Sequence, residues 1–448
     1  MNPVFSDNLM RLAEIFPKPL YAVGGYVRNA LLCGESSEDI DLAAPVLSET
    51  AAESIKKAGF NVLAHYPRTG TVLFKKDNVR YEYTSFRKDE YSGGGHLPEN
   101  TTFTNDILTD ALRRDFKCNA VYFDIKKGEV VDPLGGVYDI HNKVLDTVSL
   151  PETVFSHDGL RLMRLARFTG ELGFTPKSDV LDGAKEFSDN VSDVAAERIY
   201  EELKKILVAD KKYAFSDPHG HYSALKVLDR TEVLDRIFPE LTLGRGMEQR
   251  KDFHHYDVLQ HSLKCVYYAK ENVRLAALLH DVGKPERKIS TGRFFAHDKS
   301  GVEIFGKIAK RLRMDSATEK QVSFLIGAHM RDLDGKMSEN KIKLFIVQNR
   351  RYFDDLMALK QADFSACRDD VSECPTVKRW KSIYSEMIEN GTPFTVKELK
   401  ITPETLLTIG IKRNKLGETL KKLLDCVVTG RAKNDINELS VAATRMLD

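Results

Sequence analysis

Residues 21–45 constrain the fold more than any other stretch of the chain. "YAVGG" reads as a short apolar strand that stops at two glycines, "YVRNALLC" follows at once as a helix, and "DIDLAA" reads as the next strand. Side chains two apart on a strand share a face, so Asp39 and Asp41 converge. Two like charges that close repel unless a cation lies between them. A hard divalent ion such as Mg²⁺ prefers carboxylate oxygens and substrate phosphates. Taken alone, the pair also fits a polar turn with Asp41 on the surface.

The glycine turn upstream favours the metal. Gly24 and Gly25 permit a tight turn and close approach of a ligand to backbone N–H groups. The helix N-terminus that follows attracts anions, and Arg28, one turn in, could reach the same anion. Glu82, in "VRYEYTSFR", is a third candidate acid on a neighbouring strand, with an outward-facing strand residue as the alternative. Three carboxylates with two metals would suit in-line phosphoryl transfer.

Texture divides the chain. Up to about residue 145 short β-rich pieces ("TVLFKK", "CNAVYFD", "EVVDP") alternate with helical patterns, and "YSGGGHLPEN" reads as a flexible loop. Beyond it helical periodicity takes over. The expected architecture is α+β: a head with a mixed sheet and helices over 1–145, a helical neck over 146–235, a histidine-rich helical body over 236–370 and a helical tail over 371–448. A chain of 448 residues is too long for one core, consistent with several domains. Its 67 basic and 66 acidic residues nearly cancel, so any basic face must be local. Six cysteines without CxxC spacing predict a reduced, cytoplasmic protein. The N-terminus lacks a signal-peptide pattern, and no apolar run approaches the ~20 residues of a membrane helix.

Five motifs then occur in one order: "GGYVRN…DIDLA", "RRDFKCNA", "DPLGGVYDI", "HDGLRLMRLARF" and "ERIYEELKKIL". Together they resemble the class II nucleotidyltransferases, that is, bacterial CCA-adding tRNA nucleotidyltransferases and their poly(A) polymerase relatives. The resemblance runs from about residue 20 to 230, with a looser match in the tail. It implies that Asp39 and Asp41 bind catalytic Mg²⁺ and that Gly25 and Arg28 contact the nucleotide phosphates, beside Gly24. It also implies that Arg114 and Asp115 hold the nucleotide, with tRNA, CTP and ATP as partners and no obligate protein partner. Asp132, Gly136 and Asp139 match the element between head and neck. The chain departs from the family at Asn29, at Lys117-Cys118 and at His157, where Asp, Thr with an apolar neighbour, and Glu are usual. A flexible loop between the Glu82 strand and "RRDF" is present at about full length, which favours addition of all three nucleotides over CC alone.

Asp158, Arg161, Arg164 and Arg167 recur every three residues, a drifting stripe if helical. A solvated charged face explains that spacing as well. An ionised Asp accepts and an Arg donates, so the pair Asp158–Arg161 fits the edges of cytosine and adenine and rejects uracil and guanine. The resemblance assigns base choice to this pair, backed by Arg164 and Arg167. Glu197, Arg198 and Glu202 read as structural.

In the body, "LQHSLK", "LLHDVGKPE", "AHDKSG", "GAHM" and "QADFSA" supply histidines and aspartates, ligand types suited to transition metals. The order H…HD…D resembles the HD phosphohydrolase superfamily. It maps onto His261, His280, Asp281 and Asp363, with His297 and His329 completing a second metal site and Lys284 available to a phosphate. Mn, Ni, Co or Fe would serve as the metal, or Mg²⁺. His254 and His255 read as surface or supporting residues. The basic tail segment "KRNKLGETLKKLL" resembles the family's tRNA-touching helical element, and a solvated face fits it equally.

Overall fold

The computed structural model describes residues 3–34, 39–90 and 100–446. The chain forms two compact units, Met1–Thr242 with Arg311–Arg313, and Leu243–Lys310 with Met314–Asp448.

The first unit opens with α1 (Asp7–Ile15), β1 (Tyr21–Val23), α2 (Gly25–Cys33), β2 (Asp39–Ala44) and α3 (Ser48–Lys57). Strands β3 (Asn61–Tyr66), β4 (Thr71–Lys76) and β5 (Val79–Ser85) follow, then β6 (Arg87–Glu90), β7 (Asn100–Phe103), α4 (Ile107–Leu112), β8 (Tyr122–Asp124), β9 (Glu129–Val131) and α5 (Gly136–Asn142). Seven strands make one mixed sheet in the order β3-β4-β5-β2-β1-β8-β9, with only β2 and β5 parallel. Ile40, Leu42, Phe74, Tyr81 and Tyr83 are buried on the face that α3 covers. The two-residue period sends Asp41 and Glu82 to the opposite face.

Two elements differ from the sequence reading. β3 went unrecognised because it is an edge strand with partly exposed positions throughout, so its apolar alternation is weak. The stretch read as a loop after Glu82 is flanked by a ribbon, Arg87–Glu90 pairing antiparallel with Asn100–Phe103; its tip, 91–99, lies outside the described residues.

Helices α6 (Pro151–His157), α7 (Leu160–Leu172), α8 (Ser178–Glu186), α9 (Ala196–Leu207) and α10 (Gly220–Arg230) follow. α7 and α10 cross at two glycines: a Cβ on Gly220 would stand 2.1 Å from the Gly170 carbonyl oxygen, and one on Gly170 would stand 2.4 Å from that of Gly220. Backbone on both sides leaves nothing flexible to yield. Gly220→Ala is therefore expected to destabilise this unit by roughly 2–3 kcal/mol, read as a fall in the urea midpoint at unchanged m-value.

The second unit is helical throughout its described residues. Helices Val258–Tyr268, Arg274–Leu279, Gly283–Thr291, His297–Arg311, Ser316–Ala328 and Phe353–Arg368 carry or flank the histidine cluster. Glu339–Asn349, Pro375–Glu389, Leu416–Val428 and Ile436–Thr444 are among the later helices. Leu416–Val428 buries Leu423, Leu424 and Val428 and leaves Lys421 and Lys422 exposed. Among the described residues no helix is long and apolar enough to cross a membrane.

Candidate active site

β2 and β5 set the first cluster. Their register pairs Asp41 with Glu82 and Asp39 with Arg80, and β1 brings Val23 opposite Asp41. Asp39 thus occupies the strand position the sequence predicts, while its side chain lies outside the described residues. Gly24 adopts φ +75°, and a Cβ there would sit 3.0 Å from Asp41 Oδ2. Both the backbone conformation and the carboxylate's approach therefore call for glycine. Desolvation, and next the Asp41 charge, push the Glu82 carboxyl up, against Arg87, Arg113 and Arg114. Carboxylates converging with that mutual repulsion are a donor set that fits a hard divalent cation.

These residues line a cleft of about 1130 Å³. Its wall also holds Gly24, Gly25, Arg28, Arg114, Asp115, Asp158, Arg161, Arg164 and Arg167, so every expected nucleotide-binding residue is gathered in one place. Eleven Arg and Lys line it against six carboxylates, the local basic face that the neutral total concealed.

The wall is braced by ion pairs. Arg164 donates to Asp115 Oδ2 through Nε (2.7 Å) and Nη2 (2.5 Å), and Asp115 also accepts from Phe116 N (2.8 Å) and Asn119 Nδ2 (3.2 Å). Burial alone would raise the Asp115 carboxyl, but Arg164 outweighs it and holds it at about 2. Arg167 pairs with Glu202 (2.6 Å) and Glu171 (2.9 Å), the structural role read for Glu202. Arg161 donates to Val154 O (3.2 Å) and Arg113 O (2.5 Å). Asp158 does not ride on the helix with the arginines. It stands between α6 and α7, where its Oδ1 accepts from Leu160 N (2.9 Å), with Oδ2 3.9 Å from Arg161 Nε. Arg28 is 1 % exposed at the floor, donating to Asn29, Asn119 and Tyr213.

Asp110 went unrecognised in the sequence. It is fully buried and accepts from Arg113 (2.8 Å), Arg114 (3.2 Å) and Tyr122 Oη (2.6 Å). The Asp110-Arg113-Arg114 spacing on a helical stretch was the available signal. Tyr213, 185 residues from Arg28, had none.

Asp132 caps α5 by accepting from Gly136 N (2.8 Å) and Val137 N (2.9 Å). Asp139 is buried, and its Oδ2 has no hydrogen-bond partner among the described residues. Burial, then Asp146, raises it to about 6 despite Lys117 and Lys177. A carboxyl raised in the folded state stabilises below its unfolded value near 4, and that contribution is lost as pH rises through 6. Asp139→Asn should therefore gain about 2 kcal/mol at pH 7.5 and nothing at pH 4, measured by thermal melts at both.

In the helical unit, His261 Nε2 lies 3.0 Å from Asp363 Oδ1, and His280 Nε2 lies 3.2 Å from Asp281 Oδ2 and 3.6 Å from Asp363. Across Asp281, His297 Nε2 and His329 Nε2 stand 3.1 and 3.6 Å from Oδ1. Asp281 thus joins two groups, His261–His280–Asp363 on one oxygen and His297–His329 on the other, as the sequence reading placed them. Nδ1 of His280, His297 and His329 each meets a main-chain carbonyl three residues back (2.8, 2.9 and 2.7 Å). That bond assigns Nδ1 a proton and aims Nε2 at the carboxylates. The His297 and His329 Nε2 atoms then face each other at 3.2 Å. Burial would raise the Asp281 carboxyl, yet His280 and Lys284 hold it well below the usual range. The imidazoles and carboxylates together are a donor set that fits transition-metal ions. Lys284 is drawn to Asp281 (2.6 Å) and Gln249 (2.7 Å).

Residues 20–146 match the "Poly A polymerase head domain" family, 173–243 the "Probable RNA and SrmB- binding site of polymerase A" and 258–367 the "HD domain". The A-adding tRNA nucleotidyltransferase of Deinococcus radiodurans is 32% identical over 79% of this chain and 78% of its own. The chain belongs to the tRNA nucleotidyltransferase family. It is also 30% identical to the CC-adding tRNA nucleotidyltransferase of Thermus thermophilus, over 93% of this chain and 91% of that one. The crystal structure of the Bacillus stearothermophilus CCA-adding enzyme in complex with CTP shares the fold at a TM-score of 0.67 and 18% identity, covering 99% and 98% of the two chains. The protein is thus a nucleotidyltransferase with an appended HD domain, and both modules are divalent-metal folds.

Proposed function

We propose that this tRNA nucleotidyltransferase completes tRNA 3′ ends with C, C and A from CTP and ATP, without a nucleic-acid template. The observation that carries the reading is the register of Asp41 against Glu82 on the open face of the sheet, within an arginine-lined cleft. Asp39, Asp41 and Glu82 would hold Mg²⁺, which when bound supplies Lewis-acid stabilisation of the attacking and leaving oxygens. Gly24, Gly25 and Arg114 would receive the triphosphate, with Arg28 bracing the floor from beneath. Asp158 and Arg161 would meet the base, their planes set by Leu160 N and by the Val154 and Arg113 carbonyls. Asp115, Arg164, Arg167 and Glu202 hold that wall in place. Exposed Lys421 and Lys422 of the tail would meet RNA phosphates. The division into head, neck, body and tail and a cytoplasmic location complete this reading. Kinship with both A-adding and CC-adding enzymes makes the number of nucleotides added the point to test.

Purified protein given tRNA lacking CCA, with one labelled nucleotide at a time, should incorporate CTP twice and ATP once, and ATP only after both cytidines. Long runs of ATP would instead indicate a poly(A) polymerase. Use of ATP on CC-ended tRNA with no use of CTP would indicate an A-adding enzyme.

A second activity is supported by the five-ligand cluster around Asp281: metal-dependent hydrolysis of a phosphoester such as a 2′,3′-cyclic phosphate, a 2′-nucleotide or a damaged RNA end. His261, His280, Asp281 and Asp363 would hold one ion, and His297 and His329 a second beside Asp281.

A further inference from the structure

His254, His261 and Cys367 bring one potential ligand atom each to within 4.8 Å of one another. His261 lies on Val258–Tyr268, and Cys367 lies one turn beyond Asp363 on Phe353–Arg368. The loop carrying His254 is tied to that helix by His255 N donating to Cys367 O at 2.9 Å. The His254 ring stands edge-on to His261, with centroids 4.8 Å apart at 88°.

His261 is unlike the other histidines of the HD centre. It is fully buried, its Nε2 lies on Asp363, and its Nδ1 has no hydrogen bond among the described residues, whereas His280, His297 and His329 all anchor Nδ1 on a carbonyl. His254 Nδ1 is likewise buried with no hydrogen-bond partner among the described residues. Such nitrogens are costly to leave unmatched. Burial, and next Asp363, push the Cys367 thiol up to about 12, so without a cation it is an inert thiol.

We infer that His254, His261 and Cys367 form a separate site for a thiophilic divalent cation of the Zn²⁺ class, and that filling it withdraws His261 from the HD centre. Two imidazoles and one thiolate are a borderline-soft donor set. Bonds of about 2.0–2.3 Å place tetrahedral ligand atoms about 3.3–3.8 Å apart, so closure by about 1 Å from the present outer limit suffices. On binding, the thiol proton passes to water and a metal–sulfur bond forms, with no change of oxidation state. Coordination through Nδ1 leaves the proton on Nε2, facing Asp363. Coordination through Nε2 removes that nitrogen directly. Either way the HD ion loses a ligand. The competition rests on the hydrolase reading above; the site itself does not.

The test titrates the full-length, metal-stripped protein with Co²⁺ and follows the near-ultraviolet thiolate-to-cobalt charge-transfer band. One equivalent of band is expected in the wild type and in Cys374→Ser, with none in Cys367→Ser. His254→Gln should weaken the affinity read from the band at least tenfold, and Asp281→Asn should keep it. No band in the wild type, or a band that survives Cys367→Ser, overturns the site. For the competition, Zn²⁺ added to Mn²⁺-supported hydrolysis of a 2′,3′-cyclic nucleotide should slow the wild type more than Cys367→Ser. Equal inhibition of both overturns the competition. A band with no hydrolysis under any metal supports the site and defeats only the hydrolase reading.

Discussion

Asp41→Asn should lower kcat/KM for nucleotide addition by at least about 10³-fold, about 4 kcal/mol of transition-state stabilisation. Asp41 is exposed on the open sheet face, where Gly24 and Glu82 crowd it, so the fold does not depend on its charge. Thermal stability should stay within about 0.5 kcal/mol of wild type, the usual range for surface changes. Any hydrolysis by the HD domain should be untouched, because that centre is built from other residues. Addition retained at wild-type rate would remove Asp41 from the metal set. Conversely, Asp281→Asn should end hydrolysis and spare addition.

Arg164→Met should cost the head-and-neck unit roughly 3 kcal/mol and lower its thermal midpoint by about 5–10 °C, followed by calorimetry of the intact chain. The cost comes from stranding a buried carboxylate, since Asp115 keeps only Phe116 N and Asn119 once the guanidinium is gone. Arg164 retains partial solvent access, which holds the figure below that of a fully enclosed pair. The pH dependence follows from the depressed Asp115 carboxyl. Its stabilisation is present above the unfolded value near 4 and is lost as pH falls through about 2. Wild type and variant should therefore differ most at pH 5–7 and converge toward pH 2. The double variant Asp115→Asn/Arg164→Met should recover part of the loss, because no uncompensated charge remains. A loss independent of pH would mean that the methylene stem, not the ion pair, braces the wall.

The sequence made the chemistry easier to read than its supports. The strand positions of Asp39 and Asp41 could be read because strand period and a glycine turn are local signals, and the β2–β5 register sets Glu82 opposite Asp41 and Arg80 opposite Asp39. The HD residues could be placed because the order H…HD…D resembles a known superfamily pattern, and the fold brings His261, His280 and Asp363 together. The arginine stripe was ambiguous: helical spacing tells which side chains share a face, not what faces them. Asp115, Glu171 and Glu202 supply that answer, the first and last from 49 and 35 residues away. Tyr213 beneath Arg28, and Cys367 beside His254, depend wholly on tertiary contacts and leave no periodic trace.

The carbonyl bonds made by His280, His297 and His329 carry one more consequence. Each ring is held by main chain three residues earlier, at or next to a helix end, and the same bond aims its other nitrogen. The rings are thus oriented by folding itself, ahead of any ion they would hold. Little rotamer entropy remains to be lost on loading, and affinity falls to ligand identity and charge rather than to an ordering step. Choice between metals then falls to how well each ion suits that fixed geometry and donor set, and to its supply in the surrounding solution.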